Sequence, residues 1–467
     1  MADNIVSIPP AGKTAESGKR TVFTGLVKCP LFSGQAKLTL RKDCLLISTK
    51  FDQLTLPYGE ITAFALVGYQ VDIQTRNGVA SISCMGQATQ WFYDKLYAVY
   101  NDAVLEALLV DGRRDFETAG GYIADENGKT RTGQAVIRLY EDCLCILPPD
   151  EHARRIPLCF LSNMENDGFS MILTLATGER YTLSKLGREL DNLERLLTDS
   201  LRALRERTLQ WHRELTPNIS SMQAAMAAKL MPLGTAAYME KLTSAAPLLA
   251  AALEEKIKDS RMAQTYPWLR DLCGGYGLAV GALPPPRKEG VQPAMPVMST
   301  TENTISRAGQ KQDEKTEPLP ILWAIAPDRS RKLVAVELAL GDDEAAATYL
   351  YRVEGEWETF ALLIDRALEA SGCQRELILM PDEELNAADH LEAAMLVKRT
   401  LALLLMRRCF VGRAIHSSPD RWCRDIEKYC AAISPDAASK QEERHCTRCG
   451  ATLALDAKFC GQCGSQQ

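Results

Sequence analysis

The chain has 467 residues, 46% of them hydrophobic and 24% charged, with a formal net charge of -6. That length exceeds one core and calls for roughly three or four domains of about 100 to 150 residues each. The acidic balance argues against a general nucleic-acid coat. Fifteen cysteines, an odd number mostly isolated within apolar segments, argue against a disulfide framework and for a reducing cytoplasm.

Residues 1–20 lack the apolar core of a secretory signal and are expected to form a disordered tail. The greasiest later run, "AMLVKRTLALLLMRRCFV", is broken by Lys398, Arg399, Arg407 and Arg408, so it cannot supply about 20 apolar residues to a bilayer. A soluble protein is expected, with peripheral membrane attachment as the alternative.

Residues 33–47, "SGQAKLTLRKDCLLI", recur at 132–146 as "TGQAVIRLYEDCLCI", with eight of fifteen positions identical. The register persists: Pro57 pairs with Pro157, Gly78 with Gly178, and Gly86 with Gly187. Each copy begins with residues alternating at period two (Ala36, Leu38, Leu40; Ala135, Ile137, Leu139), and short strands with turns at Asn77-Gly78 and Thr177-Gly178 follow. About seven strands lead into one amphipathic helix per copy. Its apolar face is Trp91, Phe92, Leu96, Tyr100 and Ala103 in the first copy, and Leu190, Leu193, Leu197, Leu201 and Leu204 in the second.

This pattern, over about 21–212, resembles the pleckstrin-homology (PH) superfold in its bacterial, GRAM-like variety. The resemblance implies two binding modules, 21–112 and 113–215, for protein partners or anionic phospholipid. Lipid-binding members gather Lys and Arg between the first two strands. Here that segment holds Lys28 alone in the first copy; in the second, Asp125 and Glu126 oppose Lys129 and Arg131. Protein docking is therefore the primary reading. Arg202, Arg205, Arg207 and Arg213 on the second helix are interrupted by Glu206 and Glu214 and read as a solvated face.

Residues 216–283 are rich in Ala, Leu and Met and read as helices broken at Pro232-Leu233-Gly234 and at Pro247. The "GGYG" at 274–277 has neither a preceding strand nor a following Lys-Ser/Thr, so it is not a phosphate loop. From 284 to 320 the chain is a Pro-rich flexible linker between two halves. Residues 321–430 read as an α+β domain: three strands, the helix "EWETFALLIDRALEAS", the extended "ELILM", and one long helix from Asn386, capped there with Asp389 three residues on. Its carboxylate runs "GDDEAA" and "PDEEL" fit a turn and a helix start. His390 and His416 stand without a catalytic companion in sequence, and "SSPD" reads as an N-cap with Pro at the first helical position.

After a connector at 431–443, residues 444–467 carry Cys446, Cys449, Cys460 and Cys463 in a C-x2-C-x10-C-x2-C array, each pair followed by glycine. Four thiolates at this spacing select one tetrahedral zinc, and with every position filled by protein the zinc is structural. His445 lies outside the paired geometry. The stretch resembles the short zinc ribbon common in bacterial proteins, with Leu453, Ala457 and Phe459 at its packing positions. Arg444, Arg448 and Lys458 stand with only one aromatic, Phe459, whereas base stacking calls for several exposed rings, so nucleic-acid recognition is not its expected role.

The expected whole is an α+β multidomain protein without catalytic residues: two PH-like barrels, a helical segment, a linker, an α+β domain and a zinc ribbon. It would act as an adaptor in which joined weak sites gain roughly 100- to 10,000-fold in avidity. A phospholipid sensor and an enzyme hidden in 321–430 are the alternatives.

Overall fold

The computed structural model describes residues 22–284, 320–339 and 347–433, together with two short strands at 444–445 and 452–453. The 1–20 tail, nearly all of the linker, the "GDDEAA" run and the four paired cysteines lie outside the described residues.

The first copy folds as β1 (Val22–Lys28), β2 (Ser33–Leu40), β3 (Cys44–Ser48), β4 (Gln53–Pro57), β5 (Ile61–Val67), β6 (Gln70–Thr75), β7 (Gly78–Ser83) and α1 (Ala88–Ala107). The second repeats it as β8 (Arg114–Glu126), β9 (Lys129–Tyr140), β10 (Cys143–Leu147), β11 (Arg154–Pro157), β12 (Leu161–Asn166), β13 (Ser170–Leu175), β14 (Arg180–Ser184) and α2 (Glu189–Leu215). The sheet orders are β4-β3-β2-β1-β7-β6-β5 and β11-β10-β9-β8-β14-β13-β12, antiparallel throughout. Even the backbone repeats: Gly86 and Gly187 take φ of +58° and +56° just before each helix, a conformation glycine adopts without steric cost. Seven antiparallel strands closed by one helix, built twice, are tandem PH-like barrels.

Period-two alternation explains the cores. Leu38, Leu45, Ile47, Val71, Ile73 and Ile82 point inward onto Phe92, Leu96 and Tyr100 of α1. Ile137, Leu144, Ile146, Met171 and Leu183 do the same beneath Leu190, Leu193 and Leu197 of α2. Trp91 is half-exposed, its ring edge-on to Phe23 at 4.8 Å, while Tyr93 and Tyr97, outside the expected stripe, are buried. The cause is the second barrel. Cys143, Cys145 and Leu147, on the outer face of β10, are buried in the same core as α1, so α1 is covered on two sides.

The last turns of α2 leave the barrel. Thr208 Oγ1 accepts the Leu233 N–H at 3.1 Å, and Leu209 and Leu215 pack on the next core. Arg202 pairs with Asp199 at 3.1 Å and Arg207 with Glu141, whereas Arg205 and Arg213 are exposed.

The third body contains α3 (Ser221–Leu230), β15 (Ala236–Tyr238), α4 (Met239–Ala245), α5 (Pro247–Lys258), α6 (Tyr266–Leu272) and β16 (Ala279–Leu283), then β17 (Ile321–Pro327), β18 (Leu333–Ala339), β19 (Ala347–Arg352), α7 (Trp357–Ala370), α8 (Glu376–Leu379), α9 (Asp382–Leu385), α10 (Leu391–Arg399), α11 (Leu401–Cys409), β20 (Phe410–Ile415) and α12 (Pro419–Ile433). The strands form one antiparallel sheet ordered β15-β16-β17-β18-β19-β20. This corrects the division into a helical region at 216–283 and a separate α+β domain at 321–430. Ala279–Leu283 pair with Ile321–Ile325 across the linker, because the buried run "AVGAL" needs backbone partners on both sides. One sheet face (Leu322, Ala324, Leu333, Ala335) packs on α3 to α6 and Trp422 of α12. The other (Trp323, Ile325, Val334, Val336) faces Phe360, Ile364, Leu403 and the barrels.

Three local expectations also change. "ELILM" holds the four-residue helix α8, not a strand. The long helix from Asn386 is two helices parted at Thr400, which takes the extended values φ -120° and ψ 101°. Asn386 ends α9, and α10 starts without a side-chain cap. The expected break at Pro247 is present: α4 ends at Ala245, and Pro247 occupies the first turn of α5.

Candidate binding surfaces and metal centre

The two barrels expose different things at the same end. In barrel 1, the β1–β2 loop, the β3–β4 loop and the β6–β7 turn gather there; a Cβ on Gly78 would lie 2.7 Å from Pro30 Cγ, so only glycine lets turn and loop meet. Leu31 and Phe51 stand out at 75% and 85% exposure. Lys28 and Lys50 are exposed beside them, the Lys50 ammonium 5.4 Å from the Phe51 ring centroid. Sequence reasoning found Lys28 but missed Leu31, Phe51 and Lys50, because no local pattern shows that separate loops share an end.

In barrel 2 that end is filled. Arg154 grips Glu126 through Nε at 2.7 Å and Nη2 at 2.9 Å, Tyr181 Oη donates to the same carboxylate at 2.8 Å, and Arg131 adds a contact at 3.1 Å. Burial raises the Glu126 carboxyl's pKa, but the Arg154 bonds and charge outweigh it and hold it below the usual carboxylate range. Thr400 and Leu401 lie against this end. Arg131 is thus committed to a structural network, while Lys129 is exposed at the hairpin turn.

The bodies are joined by polar locks. Arg155 pairs with Glu369 at 2.5 Å and Arg366 with Glu369 at 2.6 Å, and Arg366 Nη2 donates to the Arg155 carbonyl at 2.8 Å. Tyr100 Oη donates to the Asp150 carbonyl and accepts from Arg399 Nη2, both at 2.9 Å, so one tyrosine touches all three bodies.

His416, solitary in sequence, has company in space. Thr348 Oγ1 donates to Glu337 Oε2 at 2.7 Å and accepts from Trp422 Nε1 at 2.8 Å. His416 Nε2 sits 2.9 Å from that hydroxyl and 3.2 Å from Glu337. The hydroxyl's single proton goes to Glu337, so His416 Nε2 must carry its own proton and donate. Sequence reasoning missed this cluster because its members come from β18, β19, α12 and the turn after β20. The expected cap of α12 is present: Ser418 Oγ accepts from the Arg421 N–H at 3.3 Å. His390 lies 3.9 Å from Glu384. Among the described residues, no group of three or more His, Cys, Asp or Glu could hold a metal ion.

Cys446, Cys449, Cys460 and Cys463 lie outside the described residues. The strands flanking the first pair are described: β21 (Arg444–His445) pairs antiparallel with β22 (Thr452–Leu453), His445 opposite Thr452. The six residues between them contain Cys446 and Cys449, and the all-thiolate donor set of the four cysteines fits zinc.

A family model for a zinc-ribbon domain matches residues 445–467, which implies zinc binding. A comparison with curated proteins finds no match. Among solved structures, the chain is similar to one described as the structure of the Spt16D Pob3N heterodimer, at 16% identity over 34% of this chain and 85% of that one, with a TM-score of 0.15. The strand order carries the fold assignment. No described helix is long and apolar enough to cross a membrane.

Proposed function

We propose that this chain is a non-enzymatic cytoplasmic adaptor, in which the barrel body presents barrel 1 to a protein partner and the ribbon, held by one structural zinc on Cys446, Cys449, Cys460 and Cys463, adds a second grip. The observation carrying this reading is the contrast between equivalent ends: barrel 2 is closed by Glu126, Arg154 and Tyr181, whereas barrel 1 leaves Leu31 and Phe51 exposed. Large apolar side chains left together in water mark an interaction surface. The test is capture from native extract with the intact chain, the chain ending before Cys446, and the L31S/F51S variant. A discrete protein partner weakened by both changes supports the adaptor, and no protein specific to the intact chain overturns it. Metal analysis should give one zinc per chain, lost in Cys446→Ser and Cys449→Ser.

The same end favours one second reading, a peripheral membrane sensor, since apolar tips ringed by Lys28 and Lys50 suit an anionic interface. Vesicles of phosphatidylcholine with phosphatidylserine decide between them. Salt-sensitive binding lost in L31S/F51S supports the membrane, and absence of binding removes it.

A further inference from the structure

The groove between the edge strand and the closing helix is occupied in barrel 1. Residues 147–151 of barrel 2, Leu-Pro-Pro-Asp-Glu, run along β5. The Phe64 N–H donates to the Pro149 carbonyl at 2.9 Å, and the Glu151 N–H to the Thr62 carbonyl at 3.0 Å, with Ala63 opposite Asp150. From the helix side, Tyr97 Oη donates to the Leu147 carbonyl at 2.6 Å and Tyr100 Oη to the Asp150 carbonyl at 2.9 Å. The molecule thus displays one complex of its own groove. Pro148 suits the place, since its nitrogen faces away from β5, where a strand added at an edge needs no N–H, while Pro149 meets β5 through its carbonyl alone.

Barrel 2 has the equivalent groove between β12 and α2, with Thr198 and Leu201 in place of Tyr97 and Tyr100, so its edge-strand backbone supplies the hydrogen bonds that would hold an occupant. Its edge strand carries the irregularity of β5 at the same register, between Leu161 and Asn163 as between Ile61 and Ala63. Met164 and Ser162 correspond to Phe64 and Thr62, and no described segment pairs with this edge. Ser162, Asn163 and Thr198 are exposed, and Met164 and Leu201 are half-buried, leaving an apolar floor with a polar rim. The charges differ from barrel 1. Glu165 replaces Ala65, whose counterpart in the seated segment is Pro148, and Glu194 replaces Tyr93, one helical turn before Tyr97. Both carboxylates flank the N-terminal end of the occupant's path. Each is held by a neutral amide, Asn163 Nδ2 at 2.6 Å and Asn166 Nδ2 at 2.7 Å, and neither is in an ion pair among the described residues.

We infer that the β12–α2 groove docks an extended Leu-Pro-Pro-type segment of a partner protein, with Lys or Arg immediately before the leucine. This rests on the adaptor reading and assigns that adaptor a second, sequence-selective site. The test uses the full chain and fluorescein-labelled peptides, Lys-Arg-Leu-Pro-Pro-Ser-Ser and Asp-Glu-Leu-Pro-Pro-Ser-Ser, read by anisotropy. The basic peptide should bind roughly tenfold tighter, about what two surface charge contacts supply. In E165K/E194K, whose melting point should match the parent, the preference should reverse. N-methylation of the final serine, which removes the donor matching Glu151, should abolish binding. Equal binding of both peptides, an unchanged preference in the variant, or no binding at millimolar peptide overturns the proposal. If capture by barrel 1 and the ribbon persists meanwhile, the groove fails alone and the adaptor stands.

Discussion

At Asp365, one carboxyl group fastens three elements. Trp323 Nε1 of β17 donates to Oδ1 and the Ala236 N–H of β15 to Oδ2, each at 2.8 Å, from a position on α7. Asp365→Asn keeps the shape but turns an amide toward one of these donors. The expected cost is roughly 2–4 kcal/mol, seen as a lower urea midpoint. A second residue sets an acid limit. Burial pulls the His212 imidazole down to about 4 from 6.5, so between those values the unfolded chain binds a proton that the folded chain refuses. Its contribution to stability is intact above pH 6.5, and is lost as pH falls toward 4, by about 2 kcal/mol at pH 5. His212→Leu should flatten that part of the melting-point profile. Burial pushes Asp365 up to about 7, and its slope runs the other way, with stability lost as pH rises from about 4 to 7, so the variants must be measured separately. Neither residue was legible in the sequence: a lone histidine in an Arg-rich helix and an aspartate in an amphipathic one acquire meaning only when another body covers them.

Single elements reveal which parts of the fold the sequence could show. Strands reading polar-apolar, such as β1, β2 and β6, were legible because one face meets water. β10 reads "CLCIL", apolar on both faces, and both are buried: Leu144 and Ile146 in barrel 2's own core, Cys143, Cys145 and Leu147 against barrel 1. Loss of alternation was therefore the signal that the barrels are packed together. Cys145→Lys should cost about 3 kcal/mol or more, because the ammonium has no route to water. Ser48→Lys, at the half-buried barrel 1 position that matches Leu147, should change the melting point little. The break at Thr400 was hidden for the opposite reason: apart from the β-branched Val397 and Thr400, "VKRTLALL" consists of good helix formers, and tertiary contacts such as that of Arg399 with Tyr100 override them.

Across the whole molecule, the Pro-rich stretch from 284 to 320 stood out by composition, but its place in the sheet was misjudged, because β16 is five residues long and its partner strand begins only after that stretch. A hairpin with a connection of this length shows no turn signal, so sheet order was not available from local pattern. Loop-closure entropy grows only as the logarithm of length, so such an insertion weakens the sheet slightly. The shared sheet makes a sharp prediction. With a specific protease site inserted near Gly309, complete cleavage should leave two fragments that co-elute at the size of the intact chain and melt within a few degrees of it. The β16–β17 ladder, the Asp365 staple and the Arg155–Glu369–Arg366 lock all bridge the cut. Adding Asp365→Asn to the cleaved protein should then lower its melting point more than in the uncut chain, because the covalent tether no longer holds the two halves of the sheet at high effective concentration.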